Sequence, residues 1–128
     1  MNKKLELLSI FFWIMGGLHI TGAVLFVVVG VLGSLGLINP EDTLQERITG
    51  GVGAGIIAVC GSLFGASHII VGTALRRLQP WARTAGIVLA ILDILLCCCN
   101  SLLGIPFGIY ALVVLLNQET TQLFDARQ

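Results

Sequence analysis

The chain has 128 residues, of which 56% are hydrophobic and only 11% are charged. Soluble domains usually carry about a quarter of their residues as charged ones, so this composition argues against a soluble protein. The mean hydropathy of +0.98 indicates the same. We expect a single membrane domain over residues 1–128, with little room for a separate catalytic domain. We expect the lipid bilayer as its surroundings and no nucleic-acid partner.

Four apolar segments follow one another along the chain, and four spans of about 20 residues would use most of its length. They cover about 8–36, 50–75, 81–99 and 102–116. The first is longer than a bilayer requires, so it must tilt or lie partly at the interface. Asn39 and Pro40 stop it, and Pro106 suits the first turn of the last span. We predict an all-α fold, a transmembrane antiparallel four-helix bundle.

The two ends of the chain lead to two further predictions. The N-terminal apolar segment exceeds a signal-peptide core and lacks a small-residue cleavage site, so we interpret it as the first span. The polar tail NQETTQLFDARQ, residues 117–128, has too few apolar positions to predict an amphipathic helix.

The basic residues set the expected orientation. Only Arg47 lies on one side of the four-span topology. The other six lie on the opposite side: Lys3, Lys4, Arg76, Arg77, Arg83 and Arg127. The positive-inside rule therefore predicts that both termini are cytoplasmic. In RRLQPWAR, we expect Arg76, Arg77 and Arg83 to contact anionic lipid headgroups, at about 1 kcal/mol per charge. A docking site for a partner protein is the alternative.

Small residues recur at helical spacing in each span, as in membrane helices that pack closely. The predicted packing glycines are Gly61, Gly65, Gly72, Gly86, Gly104 and Gly108. A second stripe in the same span as Gly61 consists of Ala54, Ala58, Ser62 and Ala66. In the first span, the predicted contact face contains His19, Gly22, Phe26, Gly30 and Gly33.

Three ionisable residues fall near the middle of these spans, on the same small-residue faces: His19, His68 and Asp93. Counted from the cytoplasmic ends, they lie at depths of about 12 to 18 Å. A carboxylate at that depth costs about 2.5 to 3.5 kcal/mol on insertion scales, so these residues form a candidate intramembrane polar cluster.

Four interpretations of this cluster remain open. In the first, the residues form hydrogen bonds between helices that fix their register, at about 0.6 to 2 kcal/mol each. In the second, they relay protons or cations. Bis-histidine haem ligation is disfavoured because the histidines differ in depth by about 6 Å. Two histidines and one aspartate would be an incomplete metal shell. No cofactor, metal site or catalytic residue is therefore expected.

Two other motifs carry little chemistry. Cys97, Cys98 and Cys99 are adjacent, and no C-x-x-C motif is present. We expect these cysteines and Cys60 to pack as small apolar residues, with an intermolecular disulfide at the outer face as the alternative. GGVGAG, residues 50–55, lacks the third glycine of a dinucleotide-binding loop.

The stretches LRRLQPWARTAGIVLAIL and GIPFGIYALVVLLNQETTQLF resemble a widespread group of small, mostly uncharacterised bacterial four-helix integral membrane proteins. The shared motifs are the Pro-Trp-Ala-Arg loop and the Gly-Ile-Tyr of the last span. The resemblance implies a bacterial inner-membrane location and no catalytic residues. Val113 departs from the group's pattern, where a tryptophan is usual.

We therefore expect a non-enzymatic small integral membrane protein that associates with itself or with a larger membrane complex. The alternative is an oligomeric proton or cation channel that uses His19, His68 and Asp93. A haem- or metal-binding membrane protein is the third hypothesis.

Overall fold

The computed structural model describes residues 3–95 and 104–126, whose regular secondary structure is entirely α-helical, as predicted. The helices are α1 Lys3–Ser34, α2 Leu44–Arg76, α3 Pro80–Leu95, α4 Gly104–Leu115 and α5 Gln118–Asp125. By length and composition, α1 and α2 could each cross a membrane. The predicted roles of Cys97, Cys98, Cys99 and Arg127 fall outside the described residues.

The described residues form two compact units. Unit 1 takes the described parts of Met1–Met15 and His68–Gln128, and unit 2 is Gly16–Ser67. Both α1 and α2 therefore contribute to each unit, whereas α3, α4 and α5 belong to unit 1 alone.

The connection between α1 and α2 is set by local hydrogen bonds. Leu37 N donates to Leu32 O, and Gly36, at φ 72°, donates to Gly33 O. This is a Schellman motif, in which the left-handed position favours glycine. A side chain at Gly36 would also collide with the guanidinium of Arg47. That group closes the loop by donating to Pro40 O at 2.6 Å.

A capping box begins α2, six residues before the predicted span. The backbone N–H of Thr43 donates to the Glu46 carboxylate at 2.8 Å, and Glu46 N donates to the Thr43 hydroxyl at 3.3 Å. This reciprocal pair satisfies two N–H groups at the helix start. Glu46 lies ahead of the apolar part of α2, and the hydrogen bonds from the Thr43 backbone and hydroxyl lower the pKa of its carboxyl.

The turn between α2 and α3 repeats the Schellman pattern with a leucine in the left-handed position. Gln79 N donates to Ala74 O at 3.1 Å, and Leu78 N donates to Leu75 O at 3.1 Å. Leu78 has φ 52°, a conformation that costs L-residues about 1 to 2 kcal/mol. Pro80 then occupies the first position of α3, where its missing N–H costs little.

Unit 2 is an antiparallel pair made by the second part of α1 and the first part of α2. A Cβ added at Gly65 would lie 2.8 Å from Gly16 O, and one at Gly61 would lie 3.5 Å from the Ala23 Cβ. Towards the other end, Gly51 faces the Ser34 side chain. The α2 residues in contact with α1 are thus Gly51, Ala54, Gly61 and Gly65. Because these residues are small, the two backbones approach closely, and this close packing holds the pair together.

Unit 1 adds α3, α4 and α5 to the remaining parts of α1 and α2. Helices α3 and α4 run antiparallel, because Gly86 faces Leu115 whereas Gly108 faces Ala90 O. The Arg83 Nε donates to Leu115 O at 3.0 Å and so satisfies a carbonyl at the end of α4. On α2, Gly72 packs against Phe12, Trp13 and Ser9 O.

One prediction from the sequence was wrong, and two others were wrong in part. The tail forms helix α5, because Asn117 caps it by accepting from Glu119 N at 3.0 Å and because Thr120 and Phe124 are buried. In α1, a single partner helix in unit 2 covers only a narrow stripe. Phe26 is therefore 46% exposed, and added side chains at Gly22 and Gly33 would meet nothing within 4 Å. Ser62 and Ala66, of the second predicted stripe, are also exposed.

The helix pair of unit 2 makes a testable distinction between two of its glycines. Gly65→Ala should destabilise the protein by about 1 to 3 kcal/mol, because the new methyl would meet the Gly16 carbonyl and force the backbones apart. Gly22→Ala is the matched control and should be neutral or stabilising by about 0.5 to 1 kcal/mol. Unfolding followed by circular dichroism in mild detergent measures both. An equal loss of stability in Gly65→Ala and Gly22→Ala would contradict the packing described.

Candidate polar site

The site is built on a hydrogen bond between α2 and α3. His68 Nε2 lies 3.0 Å from Asp93 Oδ2. The His68 side chain is fully buried, and that of Asp93 is 2% exposed. A polar group buried away from water is costly unless it is paired, so each side chain compensates for the burial of the other.

Two phenylalanine rings pack against this pair within unit 1. The Phe12 ring centroid lies 5.4 Å from that of His68, and the Phe107 centroid lies 6.3 Å from it. The two phenylalanines also contact each other edge to face at 5.1 Å. The imidazole therefore has apolar walls from α1 and α4, and the polar contact to Asp93 is made inside a hydrophobic interior.

Helix spacing explains why these side chains meet. His68 follows Gly61 and Gly65 on one face of α2, at intervals of four and three residues. Asp93 follows Gly86 and Ala90 on α3 in the same way, and all three are buried. On α4, Gly104 allows the backbone to approach Asp93 O, which an added Cβ would reach at 3.1 Å. Gly104 thus lets α4 approach the backbone of Asp93, while His68 on α2 reaches the Asp93 carboxylate.

The third predicted member of the cluster belongs to unit 2. His19 is 8% exposed, and its ring packs edge to face on Phe64 at a centroid distance of 5.2 Å. The structure therefore brings together His68 and Asp93 and assigns His19 to the helix pair of the other unit.

The arginines predicted to contact lipid headgroups have different surroundings. The Arg76 guanidinium lies 5.1 Å from the Trp13 ring centroid and 3.9 Å from the Glu6 carboxylate. Arg83 caps α4 through Leu115 O. Arg77 is exposed and lines a groove with Trp81.

Chemically, the pair can exist as a neutral imidazole that donates to a carboxylate or as an imidazolium–carboxylate ion pair. Both forms keep the hydrogen bond between His68 Nε2 and Asp93 Oδ2. The Asp93 carboxylate already occupies His68 Nε2, so an iron bound there would have to displace it. Among residues 3–95 and 104–126, no three His, Cys, Asp or Glu side chains are grouped to hold a metal ion. Cys60, in α2, is an exposed free thiol.

The aromatic walls were missed from the sequence, although a signal for one of them was present. Along α1, a second face repeats at intervals of three and four residues and is buried throughout: Leu5, Leu8, Phe12, Met15 and His19. A search restricted to small residues overlooks this face. Phe107 has no comparable signal, because its role depends on which helix packs beside α4.

Comparisons of this chain with protein-family models, curated proteins and solved structures found no significant match.

The pairing of His68 and Asp93 predicts coupled effects on stability. His68→Ala and Asp93→Ala should each destabilise the protein, because each removes the hydrogen-bond partner of a buried polar atom, Asp93 Oδ2 or His68 Nε2. The double variant should be more stable than the sum of the two effects implies, by about 1 to 2 kcal/mol. A double-mutant cycle of unfolding free energies in mild detergent measures this coupling. Strictly additive changes in the free energy of unfolding would show that the two side chains are not energetically coupled.

Proposed function

We propose that this chain is a non-enzymatic, multi-pass integral membrane protein that acts by helix–helix association. In this proposal, α1 to α4 form an antiparallel four-helix bundle and one membrane domain. Both termini lie in the cytoplasm, and the resemblance noted above makes the bacterial inner membrane the expected location. The observation that carries the proposal is the contrast between a closed polar interior in unit 1 and an uncovered apolar surface in unit 2.

The exposure of the long helices supports a membrane location. In the most apolar windows of α1 and α2, only 22% of the residues are buried. The core helix of a soluble protein would be mostly buried, whereas lipid-facing helices expose their large apolar side chains. In unit 2 these side chains include Leu25, Val29, Ile56 and Leu63.

The glycines of unit 2 support association with another helix. Added side chains at Gly22, Gly33, Gly50 and Gly53 would meet nothing within 4 Å. Small residues at an open helix surface let a second helix approach closely, which is how membrane helices gain packing energy. Beside them lies a shallow groove of about 130 Å³ lined by Val27, Gly30, Val31, Ser34, Gly51, Ala54 and Gly55.

The proposal is tested by the protomer count in lipid nanodiscs, measured by native mass spectrometry. The wild type should form a defined oligomer. Replacing Gly22 and Gly33 together by isoleucine should shift it toward monomer without loss of thermal stability, because both positions are open within the protomer.

Val24→Leu is the matched control, since Val24 is a large exposed residue on the same helix. It should leave the oligomer intact. A wild-type monomer in lipid would contradict self-association and leave a different membrane protein as the partner.

Proton or cation transport is the second candidate, and the hydrogen-bonded His68–Asp93 pair is the observation in its favour. Intramembrane ionisable pairs of this type occur in proton relays. In our proposal the pair is structural, so Asp93→Asn should reduce stability and leave proton flux in liposomes at the level of empty vesicles. Flux through the wild type that is lost in a folded Asp93→Asn variant would favour transport instead.

A further inference from the structure

A groove in unit 1 follows the end of α2 and the beginning of α3. It has a volume of about 260 Å³, and its lining includes Ile69, Ile70, Thr73, Arg77 and Trp81. The α2 residues recur over successive turns, so they form one continuous strip along the helix. The left-handed turn at Leu78 then brings the chain back so that Gln79 and Trp81 complete the groove.

The groove is apolar at one end and polar at the other. Ile70, at the apolar end, is 58% exposed, and Trp81, at the other end, is 48% exposed beside Arg77. Between them, the Thr73 hydroxyl donates to Ile69 O at 2.8 Å and accepts from Trp13 Nε1 at 3.3 Å. Ile69 and Arg77 are eight residues apart, or about 12 Å along the helix. A phospholipid likewise changes from an apolar acyl chain at one end to a polar headgroup at the other.

Within the part of the chain that the structure describes, the Arg77 side chain has no ion-pair, hydrogen-bond or aromatic partner, unlike those of the neighbouring arginines. Arg76 contacts Trp13 and Glu6, and Arg83 donates to Leu115 O. Among the described residues, no carboxylate lies within ion-pair distance of Arg77. A guanidinium presents planar N–H donors that match a phosphate in a bidentate arrangement. The negative end of α2 and the positive end of α3 meet here, so their dipole effects oppose each other.

We infer that this groove binds one anionic phospholipid, with its phosphate at Arg77 and an acyl chain along Ile69 and Ile70. The inference rests on the proposed membrane location. It goes beyond general attraction of basic residues to a membrane surface, because one arginine and one groove select the lipid. Trp81 flanks the headgroup, where an indole side chain is favoured at the membrane interface.

Native mass spectrometry of the protein released from detergent tests the inference, with phosphatidylglycerol and phosphatidylcholine as matched probes. The wild type should retain one phosphatidylglycerol in preference to phosphatidylcholine. Arg77→Gln should weaken phosphatidylglycerol binding about tenfold, since it removes charge-assisted hydrogen bonds to the phosphate.

Arg76→Gln is the matched control. It makes the same change of charge one residue earlier, on a side chain engaged with Trp13 and Glu6. It should change the affinity less than about twofold, as expected for an exposed charge outside the site. Circular dichroism checks that both variants are folded.

An equal loss of phosphatidylglycerol affinity in Arg77→Gln and Arg76→Gln would indicate diffuse electrostatic attraction between the protein and the lipid, and it would overturn the inference. Equal binding of phosphatidylglycerol and phosphatidylcholine by the wild type would overturn it as well. Failure of the membrane proposal gives a different result. In that case the wild-type chain would be absent from the membrane fraction before any lipid is added.

Discussion

The buried hydrogen bond between His68 and Asp93 is the constraint on which the arrangement of unit 1 depends. A carboxylate and an imidazole in an apolar interior must be paired, so α2 and α3 are held in one register. Small residues permit the close packing around this pair: an added Cβ at Gly86 on α3 would lie 3.6 Å from the Val71 side chain on α2, and Gly104 lets α4 approach Asp93 O. Phe12 and Phe107 then fill the space beside the imidazole. The polar pair defines the register of α2 and α3, and the glycines and aromatic rings allow the side chains to pack closely in that register.

The glycines fall into two groups with different consequences. At Gly65, Gly72 and Gly108, an added Cβ would lie within 3.0 Å of other atoms, so these residues serve the packing of the protomer. At Gly22 and Gly33, the same atom would meet nothing, so these residues are available to a helix from another chain. Because the surrounding surface is apolar, the proposed bilayer accounts for its exposure, and the open glycines account for the proposed association.

Composition and periodicity were enough to predict an all-helical chain and the small-residue faces that carry His68 and Asp93. The start of α2 was predicted at about residue 50, six residues late, although Thr43 and Glu46 have the spacing of a capping box. By contrast, the α1 face that contains Phe26 was misjudged, because burial depends on how many helices pack against each segment. The partner of His68 was not predictable, since helix spacing fixes a face but not which neighbouring helix covers it. Phe107 escaped prediction for the same reason.

The most direct test of this account is the dipolar coupling between His68 Nε2 and Asp93 Cγ, measured by solid-state NMR on isotope-labelled protein in lipid bilayers. The account predicts a strong coupling that corresponds to a separation below about 4 Å, as a direct hydrogen bond requires. It should persist when zwitterionic lipid replaces anionic lipid, because the pair lies in the interior of unit 1. Absence of the coupling in folded protein would mean that α2 and α3 are not joined through this pair in a membrane.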